Sequence, residues 1–394
     1  MKTEIFDFDL PPELIANAPL NPRDAARMLV VGDNNNVIQD KKIRDLLGFL
    51  RAGDVMVFND SKVIPARLLG KRGEVKIEVL LHKKCYSDLT ISSLRGAKSF
   101  DAIRTEKENW IASPSPFAKA SADKSVSNDD LHKQNQWQCF VKPAKRLKIG
   151  DIIAFADDFC ANVLHKYDDG QVLLAFDYGD EIFWQKLEQY GAMPLPPYIE
   201  RVRHAEAMDN QTYQTIYARH AGSVAAPTAG LHFTEELLAA IEALGVKRVS
   251  VTLHVGGGTF LPVKVADTKD HIMHSEFASI SQEAAEAINE ARRAGGRVVA
   301  VGTTSVRTLE SAADEHGELR AFSGETSIFI TPSYRFKLVD IMLTNFHLPR
   351  STLFMLVCAF AGTELMQTAY AHAIAQKYRF YSYGDACLLM RAKT

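Results

Sequence analysis

Ser223-Val-Ala-Ala-Pro-Thr-Ala-Gly-Leu-His-Phe-Thr234 is a run of small side chains that ends in a histidine and an aromatic ring. Pro227 and Gly230 prevent a continuous helix through it. Thr234 is a candidate N-cap for the helical pattern that follows, which starts with two glutamates suited to the positive end of a helix dipole. We interpret the stretch as a loop that leads into a helix and forms a ligand-pocket wall. On these residues alone, a tight packing loop with a hydrogen-bonded His232 is the alternative.

Length and composition indicate the broad class of protein. A chain of 394 residues predicts two or three domains. The formal net charge is -2, so any contact with nucleic acid requires a local basic patch. The five cysteines are scattered without a metal-binding or disulfide pattern, which is typical of a reducing cytoplasm. The N-terminus does not resemble a signal peptide, and the longest apolar run, residues 353–361, is too short to cross a membrane.

Strands alternate with helices over much of the chain, and polar groups follow several strand ends. Asn59 and Asp60 end one strand, and His254 ends another, before Gly256-Gly-Gly258. A third strand runs into Gly302-Thr-Thr304 at the start of a helix, and a fourth ends near Asn345 and His347. Ligands of open α/β sheets bind where strands end, so we expect one site there. An Asx-turn and a well-capped helix are the structural alternatives.

A second region, between residues 63 and 176, predicts six short strands without a helix, which is typical of a small barrel or sandwich. The polar stretch from about 92 to 136 reads as a long mobile insertion in this region. A basic run, residues 142–148, and Arg67, Lys71 and Arg72 indicate either a solvated face or a phosphate-contacting patch.

The motifs limit the chemistry. Gly222-Ser-Val-Ala-Ala226 lacks the nucleophile elbow of a serine hydrolase, and the Gly256 run lacks the dinucleotide fingerprint. A metal hydrolase using His254, His271, His274 and Glu276 remains an alternative, although no helical histidine pair or thiolate supports it. Hydroxyl groups and glycine loops favour a small molecule that carries a nucleoside.

Seven segments of the chain together form a pattern typical of one family. They are residues 53–68, 193–199, 222–234, 252–263, 301–310, 344–349 and 383–385. In these segments the sequence resembles the S-adenosylmethionine:tRNA ribosyltransferase-isomerase family of queuosine biosynthesis. The segments are long, keep their order and extend over almost the whole chain, and the polar insertion at about 92–136 departs from the family pattern.

The resemblance implies a discontinuous mixed α/β catalytic domain, residues 1–63 and 180–394, with a small all-β barrel inserted at 64–179. It implies transfer and isomerisation of the ribosyl moiety of S-adenosylmethionine onto the 7-aminomethyl-7-deazaguanine at the wobble position of tRNA. The product is epoxyqueuosine-tRNA, and adenine and methionine are released. S-adenosylmethionine is then a substrate, and we expect no bound prosthetic group, no metal and no membrane partner. We expect a cytoplasmic monomer.

Histidine titrates near neutrality and therefore suits the proton transfers of this reaction. We hypothesise His232 or His254 as general base, with Glu276 or Asp60 as partner or second proton carrier. The expected substrate-binding residues are Asn59, Tyr198, Ser223, Thr228, Gly230, Phe233, Gly256, Gly258, Thr259, Gly302, Thr303, Thr304, Arg307, Asn345, Phe346 and His347. The expected tRNA-binding residues are Arg67, Lys71, Arg72, Lys142, Lys145, Arg146 and Arg201. A non-catalytic tRNA-binding module and the metal-dependent hydrolase are the alternative functions.

Overall fold

The computed structural model describes residues 1–33, 37–85, 135–168, 170–200, 202–203, 208–260, 263 and 265–392. Two compact units divide the chain. The first contains Met1–Ile64 and Met193–Thr394, and the second contains Pro65–Ala192.

Strands are numbered in chain order within the described residues. They are β1 (Arg27–Asp33), β2 (Val37–Lys42), β3 (Val55–Asn59), β4 (Ser61–Val63), β5 (Arg67–Arg72), β6 (Val75–Cys85), β7 (Asn135–Lys142), β8 (Ile152–Ala156), β9 (Phe159–Lys166), β10 (Gln171–Phe176), β11 (His220–Ser223), β12 (Lys247–Leu253), β13 (Glu276–Ile280), β14 (Val298–Val301), β15 (Phe322–Thr326), β16 (Ile341–Asn345) and β17 (Ala386–Met390).

The α-helices of the same residues are α1 (Asp180–Tyr190), α2 (Pro197–Glu200), α3 (Asp209–Thr212), α4 (Glu235–Ala243), α5 (Gln282–Arg293), α6 (Thr303–Ala312), α7 (Thr352–Ala361) and α8 (Thr363–Ala375). Short 3-10 turns include Ile43–Phe49, Ala144–Arg146 and Thr228–His232. The predicted cap is confirmed, because Thr234 accepts a hydrogen bond from the Leu237 N–H. Ser281 caps α5 in the same way and accepts a hydrogen bond from the Ala284 N–H.

The first unit is built on a mixed sheet in the order β15-β13-β12-β3-β14-β16-β17-β1-β2. Alternate residues of its central strands enter two different cores, as the period of a strand requires. Val55 and Val57 of β3 pack with apolar side chains of α5 to α8, whereas Met56 and Phe58 pack with α4 and the Ile43–Phe49 turn. Helices therefore cover both faces of the sheet, which confirms the predicted α/β class.

The second unit is a closed antiparallel barrel in the order β10-β7-β6-β5-β8-β9. Along β7 the side chains alternate between buried and half-buried, and Trp137 and Cys139 fill the barrel interior. The prediction of a small six-stranded β unit is confirmed.

The C-terminal boundary predicted for this unit, residue 179, is wrong. Helix α1 belongs to the barrel unit, because its Phe183 ring stacks on Trp137 at 6.0 Å and contacts Phe176 at 5.1 Å. The units therefore divide after Ala192. Of the predicted insertion at about 92–136, residues 92–134 lie outside the described residues, and β7 already begins at Asn135.

The proline-rich segment that begins at Met193 contains one short helix. Pro197 starts the single helical turn α2, in agreement with the preference of proline for the first position of a helix.

Among the described residues, no single helix has the length and apolar composition to cross a membrane. Helices α7 and α8 meet that test only as a pair, and the pair is bent by 115°.

Candidate active site

The carboxyl ends of four parallel strands, β12, β3, β14 and β16, meet at one edge of the main sheet. β3 lies between β12 and β14, and both run parallel to it. Ligands of such α/β sheets bind in the crevice outside the carboxyl ends of the strands. β13 runs antiparallel to β12, and this places its first residue, Glu276, at the same edge. The sequence-based expectation of one site at these strand ends therefore matches the topology.

A cavity of about 70 Å³ lies at this edge, next to Val255 at the end of β12. Pockets that enclose a whole small molecule are larger, roughly 300–1,000 Å³, so one moiety of a ligand fits here. The predicted residues Thr228, Gly302, Thr303, Thr304, Asn345, Phe346 and His347 line it, together with Tyr213, Ala225, Ala226, Pro227, Ala229, Val255, Thr344, Leu353, Tyr381 and Ser382.

The junction between β14 and α6 presents unused hydrogen-bonding groups to this cavity. Gly302 adopts a φ of 89°, which places the chain in a conformation that favours glycine. No side chain caps the start of α6, so its first N–H groups are available to an anion or a hydroxyl group. The buried Thr304 Oγ1 has no hydrogen-bond partner. Thr303 lines the cavity beside it.

His232 lies behind the cavity wall. Its Nε2 is 3.3 Å from Asn345 Nδ2, and Asn345 itself lines the cavity. The same amide donates to the Tyr381 carbonyl at 3.1 Å. Burial, followed by the nearby Arg379 and Arg23 charges, lowers the pKa of His232 to about 4. The imidazole is therefore neutral at physiological pH and orients Asn345.

His347 follows β16 and is also held by its own segment. Its Nε2 lies 3.1 Å from Thr344 Oγ1, and both residues line the cavity. Burial lowers the pKa of His347 to about 3, so its ring is a neutral polar group in the wall.

His254, at the end of β12, has a free ring nitrogen. Its Nδ1 is buried without a hydrogen-bond partner, and the ring stacks on Phe277 at a centroid distance of 5.9 Å. Gly222 leaves room for the ring, because a Cβ there would come within 2.9 Å of it. Burial, and then the charge of His220, lower the pKa of His254 to about 4. A neutral imidazole with an unpaired nitrogen is available to accept a proton.

Asp60 is buried beside an exposed histidine that the sequence did not single out. Its carboxylate accepts a hydrogen bond from Thr252 Oγ1 at 2.8 Å, and the other oxygen is 3.7 Å from His220 Nε2. Burial raises the pKa of Asp60. The pairing of β11 with β4 places His220 opposite Ser61, the residue after Asp60.

Glu276 and Arg307 form a buried ion pair across β13 and α6. Arg307 Nη1 donates to one carboxylate oxygen, and the Gly256 N–H donates to the other at 3.0 Å. Arg307 is 4% exposed, and its Nε and Nη2 have no hydrogen-bond partner. Buried polar groups are rarely left unsatisfied, so these two donors mark a candidate anion site.

Several predicted binding residues serve the fold. The Asn59 side chain ties β3 to β12 by hydrogen bonds to both backbone groups of Leu253. The Ser223 hydroxyl donates to the Ala225 carbonyl and accepts from the Val255 N–H. Gly230 makes room for a tyrosine, because a Cβ there would lie 2.0 Å from the Tyr217 hydroxyl.

Of the two phenylalanines expected to bind substrate, Phe346 lines the cavity and Phe233 does not. The Phe233 ring is fully buried against Phe58 at 5.1 Å. The Phe346 ring is equally buried and packs on Tyr370 and Phe380.

The remaining expected residues are distributed around the site. Tyr198 packs on Tyr381, a cavity residue, at 4.5 Å. Gly258 lies against the His274 ring, which a Cβ would approach to 2.8 Å. Arg201 and the Thr259 side chain lie outside the described residues.

The expected tRNA-binding cations of the barrel are only partly free. Arg67 pairs with Glu78 at 3.0 Å and Arg72 with Asp151 at 2.6 Å. Lys71 and Lys142 line a groove, and Lys145 and Arg146 lie in the turn after β7.

Nothing in the described residues gathers three or more His, Cys, Asp or Glu side chains in a geometry that would hold a metal ion. The Glu276 carboxylate of the hypothetical metal cluster is instead bound to Arg307.

Comparison with known proteins identifies the family. The sequence matches the family described as queuosine biosynthesis protein over residues 3–389. It is 50% identical to the S-adenosylmethionine:tRNA ribosyltransferase-isomerase of Rhodospirillum rubrum, over 100% of this chain and 99% of the relative. Identity to the protein of the same name from Parvibaculum lavamentivorans is also 50%, over 100% of both. The crystal structure of an S-adenosylmethionine tRNA ribosyltransferase from Thermotoga maritima is 32% identical, with a TM-score of 0.50 over 98% of this chain and 100% of that one. The chain therefore belongs to the queuosine biosynthesis protein family.

Proposed function

We propose that this protein is an S-adenosylmethionine:tRNA ribosyltransferase-isomerase. It transfers and isomerises the ribosyl moiety of S-adenosylmethionine onto the 7-aminomethyl-7-deazaguanine at the wobble position of tRNA and releases adenine and methionine. The observation that carries this proposal is the carboxyl edge of the main sheet, where neutral proton acceptors lie beside groups that bind anions and hydroxyls. The full-length identity to relatives of that name supports it.

The donor binds at the start of α6. The free N–H groups after Gly302 and the hydroxyls of Thr303 and Thr304 suit the ribose hydroxyls. Arg307 lies one helical turn further and offers its Nε and Nη2 to the methionine carboxylate. The third guanidinium nitrogen of Arg307, Nη1, donates to Glu276 and fixes the orientation of the group. Glu276 is therefore a positioning residue and not a free base.

Two proton transfers are required. The positive sulfur of the donor acidifies the adjacent 5′ carbon, and His254 accepts a proton from that carbon through its unpaired Nδ1. The imidazolium formed in this step gives the proton to adenine as that base leaves. The acceptor amine must lose a proton before it attacks. The Asp60–His220 pair takes that proton, since the exposed imidazole receives it and the buried carboxylate stabilises the resulting cation.

His232, the other histidine considered as base, is a positioning residue in this proposal. Its nitrogen orients the Asn345 amide, and Asn345 contacts the ligand in the cavity. We further propose that the enzyme acts in the cytoplasm, where tRNA is modified, and that it acts as a monomer.

The test mixes the protein with S-adenosylmethionine and an anticodon stem-loop that carries the aminomethyl-deazaguanine, and follows adenine by chromatography. We expect one adenine per modified RNA and none with an unmodified stem-loop. RNA binding without adenine release would establish the non-catalytic module instead. Adenine release that needs no RNA and stops after chelation would establish a metal-dependent hydrolase.

A further inference from the structure

A groove of about 700 Å³ opens on the surface of the barrel between β5 and β8, outside the candidate active site. Residues of four strands and of the turn after β8 line it. They are Leu69, Gly70, Lys71, Lys76, Ile77, Glu78, Lys142, Ala154, Phe155, Ala156 and Asp157.

The groove exists because β5 and β8 separate. They pair at a single position, Lys71 with Ala154. The register of β8 against β9 shifts between Ala154 and Ala156, and such a bulge bends the strand that carries it. Gly70 lets the two strands touch at the base of the groove, since a Cβ there would come within 2.7 Å of the Ala154 carbonyl and the Phe155 ring.

The groove carries excess positive charge. Lys71, Lys76 and Lys142 line it, and none of them forms an ion pair within the part of the chain that the structure describes. One of the two acidic lining residues, Glu78, is neutralised by Arg67 at 3.0 Å. The other is Asp157, so the lysines leave an uncompensated charge of the sign that attracts phosphate.

Apolar side chains line the same groove. Leu69 is 66% exposed. Phe155 is half-buried, with its ring packed on Phe159 at 5.4 Å. Lysines around an exposed leucine and an aromatic ring are the combination that binds single-stranded nucleic acid, in which bases lie on apolar faces and phosphates meet the cations.

We propose that this groove binds a single-stranded segment of the substrate RNA, with the three lysines on its phosphates and a base against Leu69 and Phe155. The inference rests on the proposed function, which supplies an RNA substrate. It adds a binding surface that is separate from the residues assigned to the reaction.

The test compares two triple variants of the full-length protein with equal loss of charge. The groove variant is Lys71→Gln, Lys76→Gln, Lys142→Gln. The control is Lys2→Gln, Lys41→Gln, Lys377→Gln, three exposed lysines of the α/β unit. Binding of the modified stem-loop is measured over a series of salt concentrations.

We expect only the groove variant to bind RNA more weakly than wild type. The slope of its log association constant against log salt concentration should be smaller in magnitude by about 2, because each of three single-stranded phosphate contacts contributes about 0.7. Its KM for RNA should rise at least about tenfold, while kcat at saturating RNA and the KM for S-adenosylmethionine stay unchanged. Phe155→Leu, which preserves an apolar side chain, should weaken binding about fivefold by loss of the stacking face.

Equal affinity and equal salt slope in the two triple variants would overturn the groove as the RNA site. If wild-type protein binds RNA through the groove but releases no adenine, the proposed reaction fails and the groove stands. If wild-type protein releases adenine and the groove variant binds RNA normally, only the groove proposal fails.

Discussion

Replacement of Arg307 by lysine tests whether the buried guanidinium binds the carboxylate of the donor. Lysine keeps a positive charge beside Glu276 and removes the Nε and Nη2 donors that have no partner in the structure. The change therefore separates the ion pair that supports the fold from the nitrogens assigned to the ligand.

The size of the expected loss in affinity follows from the hydrogen-bond donors that lysine removes. A hydrogen bond to a charged group contributes about 1.5–3 kcal/mol. Since about 1.4 kcal/mol corresponds to a tenfold change, the Kd for S-adenosylmethionine should rise about 10- to 150-fold. The loss of folding stability should stay well below the roughly 3–5 kcal/mol that follows removal of one partner of a buried pair, because lysine still neutralises Glu276.

Titration calorimetry with S-adenosylmethionine, without RNA, measures the affinity, and thermal unfolding measures the stability. The matched control is Arg297→Lys. Arg297 also pairs with a buried carboxylate, that of Asp54 at 2.6 Å, but Asp54 precedes β3 and so lies at the opposite edge of the sheet. The control should lose some stability and keep normal affinity.

Two results would refute the reasoning. A folded Arg307→Lys variant with wild-type affinity would remove Arg307 from the donor site. Equal loss of affinity in the Arg297→Lys control would show that the effect reflects general damage to the sheet.

Three further predictions concern Asp60, His254 and His232. Burial raises the pKa of Asp60 above its ordinary value of 3.8, so the folded protein favours the protonated carboxyl group. The contribution of Asp60 to folding stability is therefore fully present below pH 3.8 and is lost as the pH rises through the pKa of the folded state. Asp60→Asn should therefore unfold at a higher temperature than wild type at neutral pH, lose that advantage in acid, and turn over more slowly; equal melting temperatures at neutral pH would contradict this. Gly222→Ala should displace the His254 ring, cost about 1–3 kcal/mol in denaturant unfolding and lower kcat, whereas Gly324→Ala, where the nearest atom is 3.7 Å away, should change neither. His232→Ala should lower kcat only about tenfold in the adenine assay, the effect of one lost hydrogen bond, and complete inactivity in a folded variant would make His232 the base.

Local signals in the sequence were sufficient for much of the fold. The strand pattern between residues 63 and 176 predicted six strands in a small barrel or sandwich, because alternation and turn residues are properties of neighbouring positions, and the structure is the barrel. The cap at Thr234 was predicted because threonine is a residue type that accepts a hydrogen bond from the first turn of a helix. The same holds for Gly302, where a strand turns directly into α6.

Side-chain direction was not available from local signals. Phe233 follows His232 in a promising loop, yet its ring packs on Phe58 in the core. Helix α1 was assigned to the wrong unit, because its polar and apolar pattern shows that it packs on something but not that Phe183 meets Trp137. A pattern gives the face of an element and not the partner of that face.

The composition of the site depends on pairings between distant parts of the chain. Glu276 meets Arg307 because β13 lies antiparallel to β12 at the edge where α6 begins, and His220 meets Asp60 because β11 pairs with β4. A motif reports which residue types are present, and their protonation depends on burial that the fold creates. The sequence therefore indicated the family, the barrel and the sheet edge that carries the candidate site. Only the tertiary structure showed that the buried Nδ1 of His254 has no hydrogen-bond partner, whereas Nε2 of His232 contacts the Asn345 amide.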